Sequence, residues 1–308
     1  MNSIQFDFVV FGVILILAII FDFGVFSKRS GEVSIKKALY QSLFWVALGL
    51  SYCAFVWWRE GETTAMEYLS AYLMEKSLSI DNIFVFILIF SYHRVRKDHV
   101  ARALMIGILL AIVFRIIFIT VGVVLVSEFR WILYIFGAFL VYTGIKIFVV
   151  KQEEEYNPSK NIAYRMLNKL FPILHKDVSG QFTVKKNGKT YLTNMFVVTV
   201  LLATTDIVFA LDSIPAVFAI SERPLVIYTS NIFAVLGLRA LFFLLKGAVA
   251  KFQYLQQGIA TVLVFIGLKM LVEIFHIKVP VYISLIVIVI CLGASIAYSI
   301  NAKSREEN

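Results

Sequence analysis

From Ala103 to Val126 the chain runs for 24 residues with a single charge, Arg115. About 20 apolar residues span a hydrocarbon core as a helix, and inside lipid only a helix or a closed barrel satisfies its own backbone. This run is too long for a strand, so it predicts a transmembrane helix with an arginine near its middle. The same ruler places nine spans, at 6–26, 38–58, 68–91, 103–126, 131–150, 193–220, 225–245, 256–275 and 280–300. Composition agrees: 60% of residues are apolar, 16% are charged and the mean hydropathy is +0.85, whereas a soluble domain is about 45–50% apolar and about 25% charged. The expected fold class is an all-α polytopic membrane protein whose core is built within the bilayer.

The net charge of +9 would suit a nucleic-acid binder, but its distribution argues against one. Loops 27–37, 92–102, 151–192, 246–255 and the tail 301–308 hold 20 Lys and Arg, whereas the alternate set 1–5, 59–67, 127–130, 221–224 and 276–279 holds 4. Basic loops stay in the cytoplasm, so the N-terminus is expected outside and the C-terminus inside. Trp57, Trp58 and Trp131 then fall at the outer interface. The first apolar run, with no basic residue before it and a length beyond a signal core, reads as a span and not as a cleavable signal. Cys53 and Cys291 both lie in apolar stretches, which argues against a disulfide framework.

Two spans carry matched carboxylates. Glu75 and Asp81 lie in the third, Asp206 and Asp212 in the sixth, and the stretches align with Glu75 on Asp206, Asp81 on Asp212 and Asn82 on Ser213. The echo continues: Arg115 matches Arg239, and Gly144-Ile-Lys146 matches Gly267-Leu-Lys269. With the orientation above, spans 3–5 and 6–8 are two three-helix repeats of inverted topology, an arrangement that holds a polar mid-membrane site in secondary transporters. The chain divides accordingly into helices 1–2 (1–67), a first repeat (68–150), a cytoplasmic linker (151–192), a second repeat (193–275), and a ninth helix with its tail (276–308). In the linker, Ile162, Met166 and Leu170 beside Lys160, Arg165 and Lys169 predict a basic amphipathic helix on the membrane surface. Residues 181–192 predict a hairpin turning at Asn187-Gly188.

An ionised carboxylate at mid-membrane costs roughly 2.5–3.5 kcal/mol even on insertion scales, and here four recur in two matched pairs. One reading is a hard-cation site, since oxygen ligands suit Mg²⁺, Ca²⁺ and Mn²⁺ and Ser79, Asn82, Thr204, Thr205 and Ser213 add oxygen donors. The other is buried ion pairs with Arg115 and Arg239 that only fix helix positions; the duplication favours the site. Six residues turn a helix by about 240°, so the two acids of one span do not share a face. Either the helix unwinds between them, or each meets its counterpart from the other repeat. Pro215 removes the N–H that would bond the carbonyl of Leu211, leaving either a free oxygen ligand beside Asp212 or a simple kink. Lys146 and Lys269 sit near span ends, where they either snorkel to water or serve the core. Lys76 has no counterpart and reads as a local partner, and Asp22 reads as an interfacial carboxylate.

The phrases Tyr72–Asn82, Thr205–Ala216 and Thr229–Ala240, with Phe21–Phe26 and Tyr134–Lys146, closely resemble the TerC family of bacterial integral membrane proteins, of the TerC/Alx type within the LysE-like exporter superfamily. That resemblance implies a bacterial inner-membrane protein that exports manganese from the cytoplasm. The family's acidic motif maps onto Glu75, Asp81, Asp206 and Asp212, with Asn82 and Ser213 alongside. It also implies links to tellurium resistance, to metal supply for exported enzymes and to membrane protein partners. Four carboxylates suit a cation better than the tellurite anion. The resulting expectation is a transporter of Mn²⁺ or a similar divalent cation, working by proton exchange, with the cation as cargo, no resident cofactor and no nucleic-acid partner. The alternative is a membrane adaptor that organises partners and moves nothing. An intramembrane enzyme is set aside for want of a nucleophile–base pair or a His-containing metal motif.

Overall fold

The computed structural model describes residues 3–22, 34–149, 162–174, 180–186, 189–246, 254–275, 277 and 279–306. Apolar runs free of interior proline give long helices: α1 (Ser3–Phe21), α2 (Ile35–Glu60), α3 (Glu62–Tyr92), α4 (Lys97–Glu128) and α5 (Ile132–Val149). After the short α6 (Ile162–Leu170) come strands β1 (Ile173–Leu174), β2 (Thr183–Lys186) and β3 (Lys189–Thr193), then α7 (Asn194–Ile220), α8 (Pro224–Val235), α9 (Leu238–Leu245), α10 (Leu255–Val272), a 3₁₀ turn (Glu273–Phe275) and α11 (Val281–Glu306). The molecule is an all-α membrane protein. Among the described residues, α2, α4, α7, α10 and α11 are long and apolar enough to cross a bilayer, and α8 with α9 makes a sixth such element if counted as one. α1 and α5 are shorter apolar helices, and α3, at 31 residues, carries Glu75, Lys76 and Asp81 inside it.

The expected seventh span is broken. α8 and α9 meet at a bend of 41° because Leu236 is extended and Gly237 takes φ 81°, a left-handed conformation that favours glycine. A side chain there would also collide with Trp45. Lys76 of α3 reaches this break and donates to the carbonyls of Ala234 (3.0 Å) and Leu236 (3.5 Å).

In the joining segment β2 pairs antiparallel with β3, Lys186 opposite Lys189, while residues 187–188 lie outside the described residues. β1 adds to the other edge of β3 in parallel, a strand with no alternation to announce it.

The helices pack around α3 and α7. α3 lies against α7 and α8, α4 against α7, α2 against α3 and α9, and α5 against α10. The α5–α10 contact is made by glycines: a Cβ on Gly267 would lie 2.6 Å from the Gly137 carbonyl oxygen, and one on Gly137 3.0 Å from that of Gly267. α4 turns Leu104, Ala111, Arg115 and Ile119 inward and leaves Val113, Ile117, Val121 and Val124 exposed, a face of i, i+4 spacing suited to lipid.

Candidate functional site

Arg115 is the hub. Only 1% exposed, it projects from mid-α4 between α3, α7 and α8. Its Nε donates to Asp206 Oδ2 at 2.9 Å and its Nη2 to Asp206 Oδ1 at 3.1 Å, a two-bonded fork. Its Nη1 donates to Glu75 Oε1, to Asn231 Oδ1 at 3.2 Å and to Ser213 Oγ at 3.4 Å. Asn231 Nδ2 in turn donates to the Ile227 carbonyl at 2.9 Å, which aims the amide oxygen at the guanidinium. Glu75, Asp206, Ser213 and Asn231 are all buried.

Two carboxylates around one guanidinium, both ionised, would leave the cluster one negative charge in excess. Desolvating each ion costs several kcal/mol, and a bidentate fork with satisfied donors is the geometry that offsets most of it. The donors are satisfied here, but one acceptor is not. Glu75 Oε2 is buried and accepts no hydrogen bond of ordinary length, the Ser213 hydroxyl being a polar neighbour. Ser79 Oγ, one turn further along α3, is also buried without a partner. Buried unpaired carboxylate oxygens are costly and rare, so this one marks a place where a cation or proton would be stabilised.

The counterpart alternative thus describes the first pair: Glu75 and Asp206 converge across two helices, and neither α3 nor α7 unwinds. α7 is continuous through Pro215, and Leu211 lies exposed on it. Thr205 is half-buried in the same helix. Asp212 stands apart from the hub: it accepts from Thr143 Oγ1 of α5 at 3.2 Å and lines a cavity of about 270 Å³ with Asn82, Lys146, Phe209 and Gln256. Asp81 lies in α3 beside Asn82, its side chain outside the described residues. Among the described residues no group of three or more His, Cys, Asp or Glu side chains forms a metal cage.

The matched basic residues take different partners. Arg239 of α9 donates through Nη2 to Asp22 Oδ1 at 2.9 Å, so Asp22 is tied to α9 and is only 23% exposed in its side chain. Lys146 lines the Asp212 cavity, and Lys269 donates to Ser284 Oγ at 3.2 Å and lines a second cavity. Sequence reasoning missed Asn231 and Thr143 as site residues. A buried asparagine among Thr229, Ser230 and Asn231 in an apolar helix was the available signal, and Thr143 had none.

The TerC integral membrane protein family matches residues 60–307. The chain belongs to the TerC family. Relatives align over most of its length: the membrane protein STKORF319 of Myxococcus xanthus is 44% identical over 293 residues, 95% of this chain and 90% of its own. Alx of Salmonella typhi, named a proposed membrane-bound redox modulator, is 40% identical over 284 residues, 89% of this chain and 88% of its own. Alx of Escherichia coli K12 bears the same name and is 41% identical over 281 residues, 88% and 87%. No solved structure matches this TerC chain.

Proposed function

We propose that this TerC-family protein is a transporter that exports a hard divalent cation, Mn²⁺ above all, across the bacterial inner membrane. The observation that carries the reading is the convergence of Glu75 and Asp206, from matched positions of two helices, on one buried arginine with a carboxylate oxygen left over. A dication and the Arg115 guanidinium compete for the same oxygens. Arg115 therefore stands in for the cargo in the resting state, and a dication that enters releases it from at least one carboxylate. Asp212, with Thr143 and Asn82, forms the approach, and Asp81 belongs beside it. Protons are the proposed counter-ion, taken up by the carboxylates as the dication departs.

The repeat architecture belongs to this proposal, with nine spans, the divisions 1–67, 68–150, 151–192, 193–275 and 276–308, the N-terminus outside and the C-terminus inside. Reciprocal packing supports it: a Cβ on Gly144 would meet the Val264 nitrogen at 3.1 Å, and one on its sequence counterpart Gly267 would meet the Val141 nitrogen at 2.8 Å. Ser213 supports the cluster, while its sequence counterpart Asn82 lines the Asp212 cavity.

The test is Mn²⁺ flux in vesicles containing only this protein, with Glu75→Gln and Asp206→Asn beside the parent. Loss of flux in both variants at normal protein level is expected. Parent vesicles that leave Mn²⁺ where it was loaded sink the proposal.

A further inference from the structure

Two cavities share the same four helices. The first is the Asp212 cavity, lined from α3, α5, α7 and α10. The second, about 290 Å³, is lined by Glu67 of α3, Leu133 of α5, Ala219 of α7 and Lys269 of α10, with Glu222 and Glu273 at its edge. On each helix the two linings are offset along the axis: Glu67 to Leu78, Leu133 to Thr143, Asp212 to Phe218 and Leu263 to Lys269. Those offsets amount to about 9–16 Å of helix. On α3 and α5 the second cavity comes first in the chain, and on α7 and α10 it comes last, so the two cavities sit at opposite ends of one antiparallel seam.

The stretch between them is shut by close packing. Gly137 and Gly267 bring the α5 and α10 backbones into contact there, and Leu140, Ile214 and Ile266 are buried at that level. Phe136 and Phe218 place their ring centroids 6.3 Å apart beside them. Glu75 falls in the same interval. Successive residues advance by about 100°, so Glu67, Glu75, Leu78 and Asn82 lie within an arc of about 80° on α3. The unpaired oxygen of Glu75 is therefore carried by the arc that lines both cavities, at the height of the closure between them.

We infer that the two cavities are the ends of one translocation pathway along the α3–α5–α7–α10 seam. The Gly137–Gly267 contact is its closed constriction, and the cavity at Glu67 and Lys269 is its far mouth. This rests on the transport reading above and adds the route to it. Closure by glycine-to-backbone packing can open when α5 shears along α10, since neither Gly137 nor Gly267 carries a side chain to lock the other's backbone.

The experiment replaces Cys53 and Cys291 with serine and introduces Ala219→Cys in the wall of the Glu67 cavity. Mn²⁺ flux in reconstituted vesicles is measured before and after a membrane-impermeant, positively charged methanethiosulfonate is added on that side. Leu133→Cys on the facing helix serves as the second variant, and Trp131→Cys, exposed and outside the lining, as the control. Labelling at 219 or 133 is expected to remove most of the flux, and labelling at 131 to leave it unchanged. Parent vesicles without Mn²⁺ flux overturn the transport reading and the route with it. A parent that transports, with fully labelled Ala219→Cys and Leu133→Cys proteins that transport equally well, overturns the route alone. So does failure of the reagent to reach either thiol.

Discussion

Arg115 of α4 grips Asp206 of α7 by two parallel hydrogen bonds, 2.9 and 3.1 Å long, in a setting where both side chains are 1% exposed. Such a fork needs a planar guanidinium. Arg115→Ala leaves two buried carboxylates without a cation and is expected to cost roughly 3–5 kcal/mol. The check is the thermal midpoint and membrane yield of the purified protein. Arg115→Lys should recover little of the loss, because an ammonium cannot make both bonds at once, and a lysine variant as stable as the parent would contradict the fork as a stabilising element.

Asp212 should behave in the opposite way. It is half-buried, bonded to Thr143 and outside the arginine cluster, so Asp212→Asn keeps the shape and one oxygen while removing the charge. Protein level is expected to hold while Mn²⁺ affinity falls at least about tenfold, equivalent to about 1.4 kcal/mol. Manganese sensitivity of cells that rely on this protein for export reads the effect, with Asp81→Asn expected to follow. The adaptor reading ranks these variants below deletion of residues 181–192, and that ranking would displace the transporter reading.

Glycine substitutions separate packing from propensity. Gly267→Ala places a methyl 2.6 Å from the Gly137 carbonyl oxygen and is expected to destabilise by about 1–3 kcal/mol through overpacking. Gly293→Ala meets nothing within 4 Å and should be neutral or stabilise by up to about 1 kcal/mol through helix propensity. Detergent unfolding of both variants provides the comparison.

Lys76→Met removes the ammonium that the carbonyls of Ala234 and Leu236 accept from at the α8–α9 break. Carbonyls left unsatisfied when buried cost about 1–3 kcal/mol. Faster hydrogen exchange confined to 232–241 is the expected signature, and exchange that rises evenly across the protein would argue against a local clamp.

The membrane class, the helical content and the position of most helices follow from the sequence, because the length of an apolar run and its charges are local quantities that the bilayer reads directly. Alignment of Glu75 with Asp206 and of Gly144 with Gly267 was equally legible, since it needs only comparison of the chain with itself. Partner choice was not. Arg115 and Arg239 occupy matched positions, yet one binds two carboxylates and the other binds Asp22, which follows α1. Nothing local distinguishes them, and only the packing of α1 against the second half decides it. The break at Leu236-Gly237 was hidden for the same reason: a lone glycine in an apolar run is compatible with a straight helix. Here Trp45 packed against Gly237 and Lys76 bonded to the freed carbonyls are what hold the bend. Separation of Asp212 from the arginine cluster lies between these cases. Helical periodicity showed that Asp206 and Asp212 face different ways, but that one meets Arg115 and the other a cavity is set by α3, α4 and α5, which come from elsewhere in the chain.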